Sequence, residues 1–544
     1  MRSSCIALFC LLIFNSQSFC QSDEGLPTDY LSKDFHAGRR EALRQLMPDH
    51  SVIVIFSYPA RVFSRDINFP YHENPDLYYF SGYKEPNAVL LIFKEPQSSV
   101  DHKVYKELFF VQKRDPERET WTGKRMGVEN VKSKLGFDMV FEGSAFKQFP
   151  IDLTKFDKVI FGSLPTDISD DPDDSADLFD LIGTFKEKAR FPEDFDSQIN
   201  QTLISISSAP YMYLPRIKGY LKERMSNNIK FSKNAMVNEI LNITDSAGYV
   251  VTMQKIREMR LNTSLYGKYI ATLREIKTPE EMVLMRKTIQ ISSMAHAEVM
   301  KAIHPSMSEL EIQGLQEYVH KKYGAEYVGY PSIVGAGNNG CTLHYEENAK
   351  TKIGDDMVLM DVGAEYHGYS ADITRTVPST GKFTTEQKAI YDLVYQAQEE
   401  IFKLCKEGTP FDSLNLKATE VLAAGLIKLG IINSKDSITR YYPHGCSHHL
   451  GLDVHDRTNY GSLKENMVIT VEPGIYIPIN SPCDKKWWGI AVRIEDDVRI
   501  GKDKYELLSY LAPRKSEDVE RKVAEKSVLD NFVLPELPVN QSGN

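Results

Sequence analysis

MVLMDVGAEYHGYSADITRT, residues 357 to 376, decides how this chain is read. Two aspartates, Asp361 and Asp372, flank a tight turn at Tyr366-His367-Gly368. Both flanks have strand character, Met357-Val358-Leu359-Met360 before the turn and Ile373-Thr374-Arg375-Thr376 after it. A two-residue loop centred on Tyr366 and His367 sets Asp361 directly opposite Asp372. Opposed residues share one face of a sheet, with Cβ atoms about 5 Å apart. Carboxylates that close repel each other unless a cation lies between them. The stretch therefore predicts a metal-holding hairpin.

Further metal-binding side chains lie on strand-like segments downstream. HGCSHHLGLDVHD, residues 444 to 456, carries four histidines. In NMVITVEPGIYI, Glu472 ends a strand at the Pro473-Gly474 turn. GIAVRIEDDVRI, residues 489 to 500, alternates, which puts Arg493 and Glu495 on one face and Val492 and Ile494 on the other. The candidate ligands are two Asp, two Glu and a His. Hard oxygen donors with one imidazole suit manganese, cobalt or zinc, and two ions rather than one. Arg493, beside Glu495, is placed to hydrogen-bond ligating carboxylates. Singly, each residue has a plainer reading as a solvated hairpin pair, a surface histidine, a turn glutamate or a wetted strand face. The joint order Asp, Asp, His, Glu, Glu on strand patterns is what argues for a metal centre.

At 544 residues the chain exceeds one ordinary domain and buries a large core. Its 42% hydrophobic and 26% charged content is that of a globular protein. A net charge of -10 without a dense Lys/Arg block argues against nucleic acid as a partner. Residues 1–20 read as a secretory signal peptide, with a basic start, an apolar run from Ile6 to Phe14, and cleavage after Cys20. This predicts an exported protein, periplasmic or extracellular. A lipid anchor on Cys20 is the lesser alternative, because Phe19 is bulky. No later stretch is long and apolar enough to span a bilayer. Beyond the leader stand Cys341, Cys405, Cys446 and Cys483, with no C-x-x-C pair and hence no zinc ribbon. Asn200, Asn242 and Asn262 begin N-x-S/T triplets.

Three segments follow the leader. Residues 28–270 mix helices with apolar runs of strand length, clearest at Ser51–Phe56, Ala88–Phe93 and Leu108–Val111. Such runs suit strands covered on both faces. The acidic DISDDPDDSADLFD, residues 167 to 180, reads as an exposed loop, with a calcium site as the minor alternative. Residues 271–515 open with a capping box, Thr278-Pro279-Glu280-Glu281. Ser308 starts a second helix that stops at Gly324, Thr384 a third that closes at Gly408, and a fourth runs from Asp412 to Gly430. Helix pairs mixed with hairpins make the fold class α+β. Residues 516–544 read as a fraying tail. Gly335-Ala336-Gly337-Asn338-Asn339-Gly340 matches G-x-G-x-x-G, but Cys341–Tyr345 alternates like a strand where a dinucleotide site needs a helix.

DVGAEYHGYSADITRT, SIVGAGNNGCTLHYEEN, HGCSHHLGLDVHD, VEPGIYI and RIEDD together resemble the Xaa-Pro aminopeptidase (aminopeptidase P) group, within the creatinase, prolidase and methionine aminopeptidase superfamily. RREALRQLMPDHSVIVIFS and FPYHENPDLYYFSGYKEPNAVLLI resemble that group's N-terminal domain, so the similarity covers nearly all of residues 35–510. The resemblance implies a pita-bread metallopeptidase domain preceded by a smaller α/β creatinase-like domain. It implies two divalent ions, manganese first, with zinc or cobalt as alternatives. By position, Asp361 binds one ion, Asp372 and Glu495 bridge both, and His448 and Glu472 complete the other. A bridging water is then the nucleophile and Glu472 its proton acceptor. His344, His444 and His455 face the substrate, and Arg493 supports the carboxylates. The implied partners are peptides with proline in the second position, and further copies of the chain in a homodimer or homotetramer. Prolidase, which cuts only dipeptides, and a non-catalytic peptide-binding protein of the same fold are the alternative functions. Residues 163–265 are longer than in the family. His449 stands where the family commonly has an aromatic residue, which alters the pocket wall but removes no ligand.

Overall fold

The computed structural model describes residues 27–99 and 101–531, so the expected signal peptide and cleavage site at Cys20 lie outside the described residues. Six strands form one mixed sheet in the order Val140–Glu142, Val104–Val111, Val89–Ser98, Ser51–Phe56, Lys158–Phe161, Leu261–Asn262. The apolar runs seen in the sequence are its central strands. Side chains alternate between two covered faces. Ile53, Ile55, Leu90 and Ile92 pack with Leu43 and Met47 on one side. Val52, Val54, Leu91 and Phe93 pack with Phe156 and Phe185 on the other.

The long segment 163–265 supplies a small helical unit. Helices Ser197–Ile206, Ile229–Lys233, Ala235–Leu241 and Ser246–Arg257 each begin at an Asp or Asn whose side chain accepts from the first-turn backbone: Asp196, Asn228, Asn234 and Asp245. With Leu214–Asn227 they bury a core of their own around Leu203, Leu221, Val237, Ile240 and Met253. Of the three N-x-S/T asparagines only Asn242 is exposed; Asn200 and Asn262 are buried. Asn200 donates to the Leu261 carbonyl and accepts from Thr263, so it ties this unit to the last strand. The acidic stretch is loop only to Asp177, which caps the helix Leu178–Lys188.

In the second domain, helices Pro279–Ala302, Glu309–Lys322, Thr385–Phe402 and Asp412–Lys428 cover two interrupted hairpins. Both capping boxes form, at Thr278 and at Thr384. The third helix ends at Phe402 rather than running to Gly408. Leu404 and Cys405 tighten into i→i+3 bonds, and Gly408, at φ +85°, belongs to the turn beyond. The tail does not fray at once: helix Ser516–Val523 packs on the domain core through Val519. The G-x-G-x-x-G run enters a short 3-10 turn, Gly337–Cys341, and Cys341–Tyr345 is not a strand. The chain doubles back here so closely that a Cβ on Gly335 would lie 2.7 Å from the Gly340 nitrogen.

The first hairpin corrects the predicted register. Its two-residue loop is His367-Gly368, at φ 50° and 85°, as a type I′ turn requires. Asp361 therefore pairs with Thr374, not Asp372. The displacement on the return strand is two residues, which preserves parity, so Asp372 stays on the Asp361 face as a diagonal neighbour. The segment 489–500 is likewise not one strand. Ile490–Arg493 pairs with Gly474–Ile477 and Asp496–Ile500 with Val468–Val471, with both partners broken at the same level. Glu472 and Glu495 occupy those opposed breaks.

Buried charge joins the two domains. Arg274, 1% exposed at the end of helix Ser264–Arg274, meets Asp76 at 2.7 Å, Asp453 at 2.7 Å and Asp456 at 2.5 Å. Lys277 meets Asp456 at 2.9 Å. Removing one partner of such a network strands the others without compensation. Arg274→Ala should therefore cost about 3–5 kcal/mol of stability, read as a lowered urea midpoint; an unchanged midpoint would contradict this account.

Candidate metal centre

The two broken hairpins meet face to face and bring all five predicted ligands together. Ligand atoms of Asp372, His448 and Glu495 lie within 4.8 Å of one another. His448 Nε2 is 3.2 Å from Asp372 Oδ2 and 3.6 Å from Glu472 Oε1. Asp361 joins them through Tyr330, whose hydroxyl lies 2.5 Å from Asp361 Oδ1 and 2.7 Å from Asp372 Oδ1. His448 Nδ1 faces the His449 carbonyl at 3.1 Å, which turns Nε2 toward the carboxylates.

Around this cluster runs a frame of donors. Arg493 donates from Nη2 to Asp361 Oδ2 at 2.5 Å, from Nη1 to the Tyr476 hydroxyl at 2.8 Å, and from Nε to Thr374 Oγ1 at 3.0 Å. Thr374 in turn donates to Glu495 Oε2 at 2.6 Å. The strand breaks release backbone carbonyls that helices recapture. Gln398 donates its amide to the Val471 and Ile494 carbonyls at the second pair of breaks. His296 and Thr288 do the same for the Val362 and Ala364 carbonyls in the first hairpin, and Ser292 accepts from the Ala364 N–H. Arg375, fully buried, holds the Glu495 carbonyl and Asp496. Of these residues Arg493 was expected from sequence. Thr374 and Tyr476 carry a signal there, two and four residues beyond a predicted ligand on strand patterns. Tyr330, Gln398 and His296 carry none.

The histidines divide. His444 is partly buried. It accepts from the Tyr476 hydroxyl at Nε2, 2.8 Å away, and donates from Nδ1 to the Gly445 carbonyl. Burial and the Arg493 charge lower its pKa to about 4, so it is neutral. Gly474 permits the arrangement, since a Cβ there would lie 2.5 Å from the Tyr476 hydroxyl. His455 is exposed and stands edge-on to His448, ring centres 4.3 Å apart. His344 is exposed in a loop. His449 is buried and stacked on Phe411.

The donor set fits divalent cations. Burial and the neighbouring carboxylates raise Asp372, push Glu495 well above the carboxylate range, and bring Glu472 to about 7. Burial opposes charging of His448, but Asp372 and Glu472 outweigh it and raise the imidazole to about 9. Four carboxylates and one imidazole are a donor set that hard divalent cations take.

The profile of metallopeptidase family M24 matches residues 283–502, and that of the aminopeptidase P N-terminal domain residues 36–161. An Xaa-Pro aminopeptidase of Escherichia coli (strain K12) is 31% identical over 90% of this chain and 97% of its own length. The mitochondrial intermediate cleaving peptidase 55 of Arabidopsis thaliana is 29% identical over 91% of this chain and 84% of its own. Among solved structures, E. coli aminopeptidase P with the inhibitor Pro-Leu superimposes with a TM-score of 0.69 at 30% identity, covering 91% of this chain and 98% of that one. Pseudomonas aeruginosa aminopeptidase PepP gives 0.70 at 28% identity, covering 91% and 99%.

Tyr330 shares one hydroxyl proton between two carboxylates and so sets their spacing. Tyr330→Phe should weaken divalent-metal affinity about 10–100-fold, the usual loss when an outer partner of a ligand is removed, while the fold melts normally. Unaltered affinity in a manganese titration would show that the hydroxyl does not position the ligands.

Proposed function

The chain belongs to the aminopeptidase P group of metallopeptidase family M24, and from that premise we propose that it releases the N-terminal residue from peptides whose second residue is proline. The observation that carries this reading is the convergence of Asp361, Asp372, His448, Glu472 and Glu495 in one buried site. We assign these five as ligands of two divalent ions, manganese first and zinc or cobalt as alternatives. Ions held there supply Lewis acidity, which stabilises charge on a carbonyl oxygen and acidifies water.

The protein's own groups do the rest. Glu472 takes a proton at its carboxylate and returns it to the leaving nitrogen. His344 and His455, exposed beside the ligands, hydrogen-bond the peptide carbonyls. His444, fixed by Tyr476, lines the same wall. Arg493 holds Asp361 in place. The scissile X-Pro bond is a tertiary amide without an N–H. A site that recognises shape and carbonyl oxygens accepts it.

The leader supports export, checked by N-terminal sequencing of the mature protein. The resemblance supports a homodimer or homotetramer, checked by light scattering. Among the described residues no helix is long and apolar enough to cross a membrane.

Dialysis against a chelator should abolish cleavage, and manganese should restore it; turnover that survives chelation rejects the assignment. Asp372→Ala should lose metal and activity together, by more than the 10–100-fold expected for an outer partner, with the N-terminal domain still folded. Bound metal with retained turnover would count against Asp372. Cleavage of Arg-Pro-Pro well above Arg-Pro separates this reading from a dipeptidase, and the reverse order favours prolidase.

A further inference from the structure

A cavity of about 940 Å³ lies between the N-terminal sheet and the loop that carries His455. Its floor is the C-terminal end of the parallel strands Ser51–Phe56 and Lys158–Phe161, where open α/β sheets characteristically take ligands. Tyr58, Tyr71 and Tyr266 form aromatic walls, and Gln201 lies on the rim. Arg457 enters from the second domain. One residue separates it from His455, so their Cα atoms are within about 7 Å. Arg457 thus brings one side of the cavity near His455, and none of the lining belongs to the ligand set.

Arg457 is the cation in this cavity with the most to offer. Its side chain is partly exposed, and its ion pair is a long one, 3.6 Å from Asp76 Oδ2. Asp76 does not depend on it. That carboxylate already receives Arg274 at 2.7 Å and the Tyr266 hydroxyl at 2.9 Å. Arg61, at the mouth, is by contrast engaged by both the carboxylate and the carbonyl of Asp167. A guanidinium with spare N–H groups at the end of an aromatic-walled channel matches a carboxylate in the planar, two-bond mode.

We infer that this cavity receives the downstream part of longer peptide substrates, and that Arg457 binds the C-terminal carboxylate of those whose length reaches it. The inference rests on the aminopeptidase reading and adds a length- and terminus-dependent specificity to it. Arg457 acts on binding, remote from the bond that breaks.

The test is a peptide series, Xaa-Pro followed by one to five further residues, each made as free acid and as C-terminal amide, assayed with the manganese-loaded full chain. At one length the acid should exceed the amide in kcat/KM by about 10-fold, through KM, the scale of a charged hydrogen bond. Arg457→Gln should erase that preference and leave kcat for the shortest peptide unchanged. Gln201→Trp, from an exposed helix position, should raise KM for the longest peptides alone. Calorimetry of proline-initiated product peptides on the chelated protein should show the same preference for the acid. Equal acid and amide at every length overturns the inference, as does a preference that persists in Arg457→Gln. A uniform loss on all peptides with a lowered Tm in Arg457→Gln also overturns it, because the residue is then only a structural partner of Asp76. Failure of the unaltered protein to cleave any Xaa-Pro peptide rejects the proposed function itself.

Discussion

Four carboxylates, Asp361, Asp372, Glu472 and Glu495, are held closer together than their charges favour, in a site from which water is largely excluded. Burying even one unpaired carboxylate is costly, and each neighbour of like charge adds to the cost. The surrounding structure answers this repulsion. Arg493 and His448 bring positive charge, Tyr330 and Thr374 bring hydroxyl donors, and each touches at least one of the four. What the donors cannot neutralise is the excess of negative charge that makes the site selective for cations. The strand breaks at Glu472 and Glu495 aim two of the carboxylates inward. They also orphan carbonyls, and Gln398 in the covering helix is the remedy. His296 and Thr288 hold the Val362 and Ala364 carbonyls on the other hairpin, and Ser292 accepts from the Ala364 N–H. Each catalytic hairpin is thus bent at its ligands and clamped by polar groups from the middle of a helix.

That design explains what the sequence could and could not reveal. The aspartate pair was legible although its register was misread, because an error of two residues leaves strand parity intact. Arg493 and Glu495 were legible as one face although the strand is broken between them, because the break is matched across the hairpin. Helix starts at Thr278, Ser308 and Thr384 were legible because capping chemistry is local. Tyr330 was not. It lies 31 residues before Asp361, and nothing local distinguishes it from a packing tyrosine. Gln398 was hidden for a different reason. It sits on the inward face of helix Thr385–Phe402 beside Val394, Ala397 and Ile401, where periodicity reports burial but not partners. The helical unit at 197–257 was obscured because its helices are short, though their Asp and Asn caps were in view.

The first domain is more than an appendage to this site. Asp456 follows His455 and is buried against Arg274 and Lys277, which stand at the junction between the two domains. Arg274 also grips Asp76 on the helix Pro75–Ser81 of the first domain. His72 meets Glu365 at 2.9 Å, two residues before the hairpin turn. The long helix Pro279–Ala302 packs Met282 and Met285 into the core shared with the first domain and Val299 and Met300 into the core of the second. The loop bearing the exposed His455 is therefore held at its base by charges that belong to both domains.

This arrangement bears on why a proline-containing bond suits the proposed site. Ordinary peptide recognition pairs the substrate N–H with a free acceptor. The carboxylate oxygens here already face one another, Arg493, Tyr330 or Thr374, and the proposed ions make a further claim on them. Recognition then falls to side chains that can address a carbonyl, His344 and His455, and to the shape of the wall built by Tyr476 and His444. An X-Pro bond asks for nothing else at its nitrogen, since it has no proton to place.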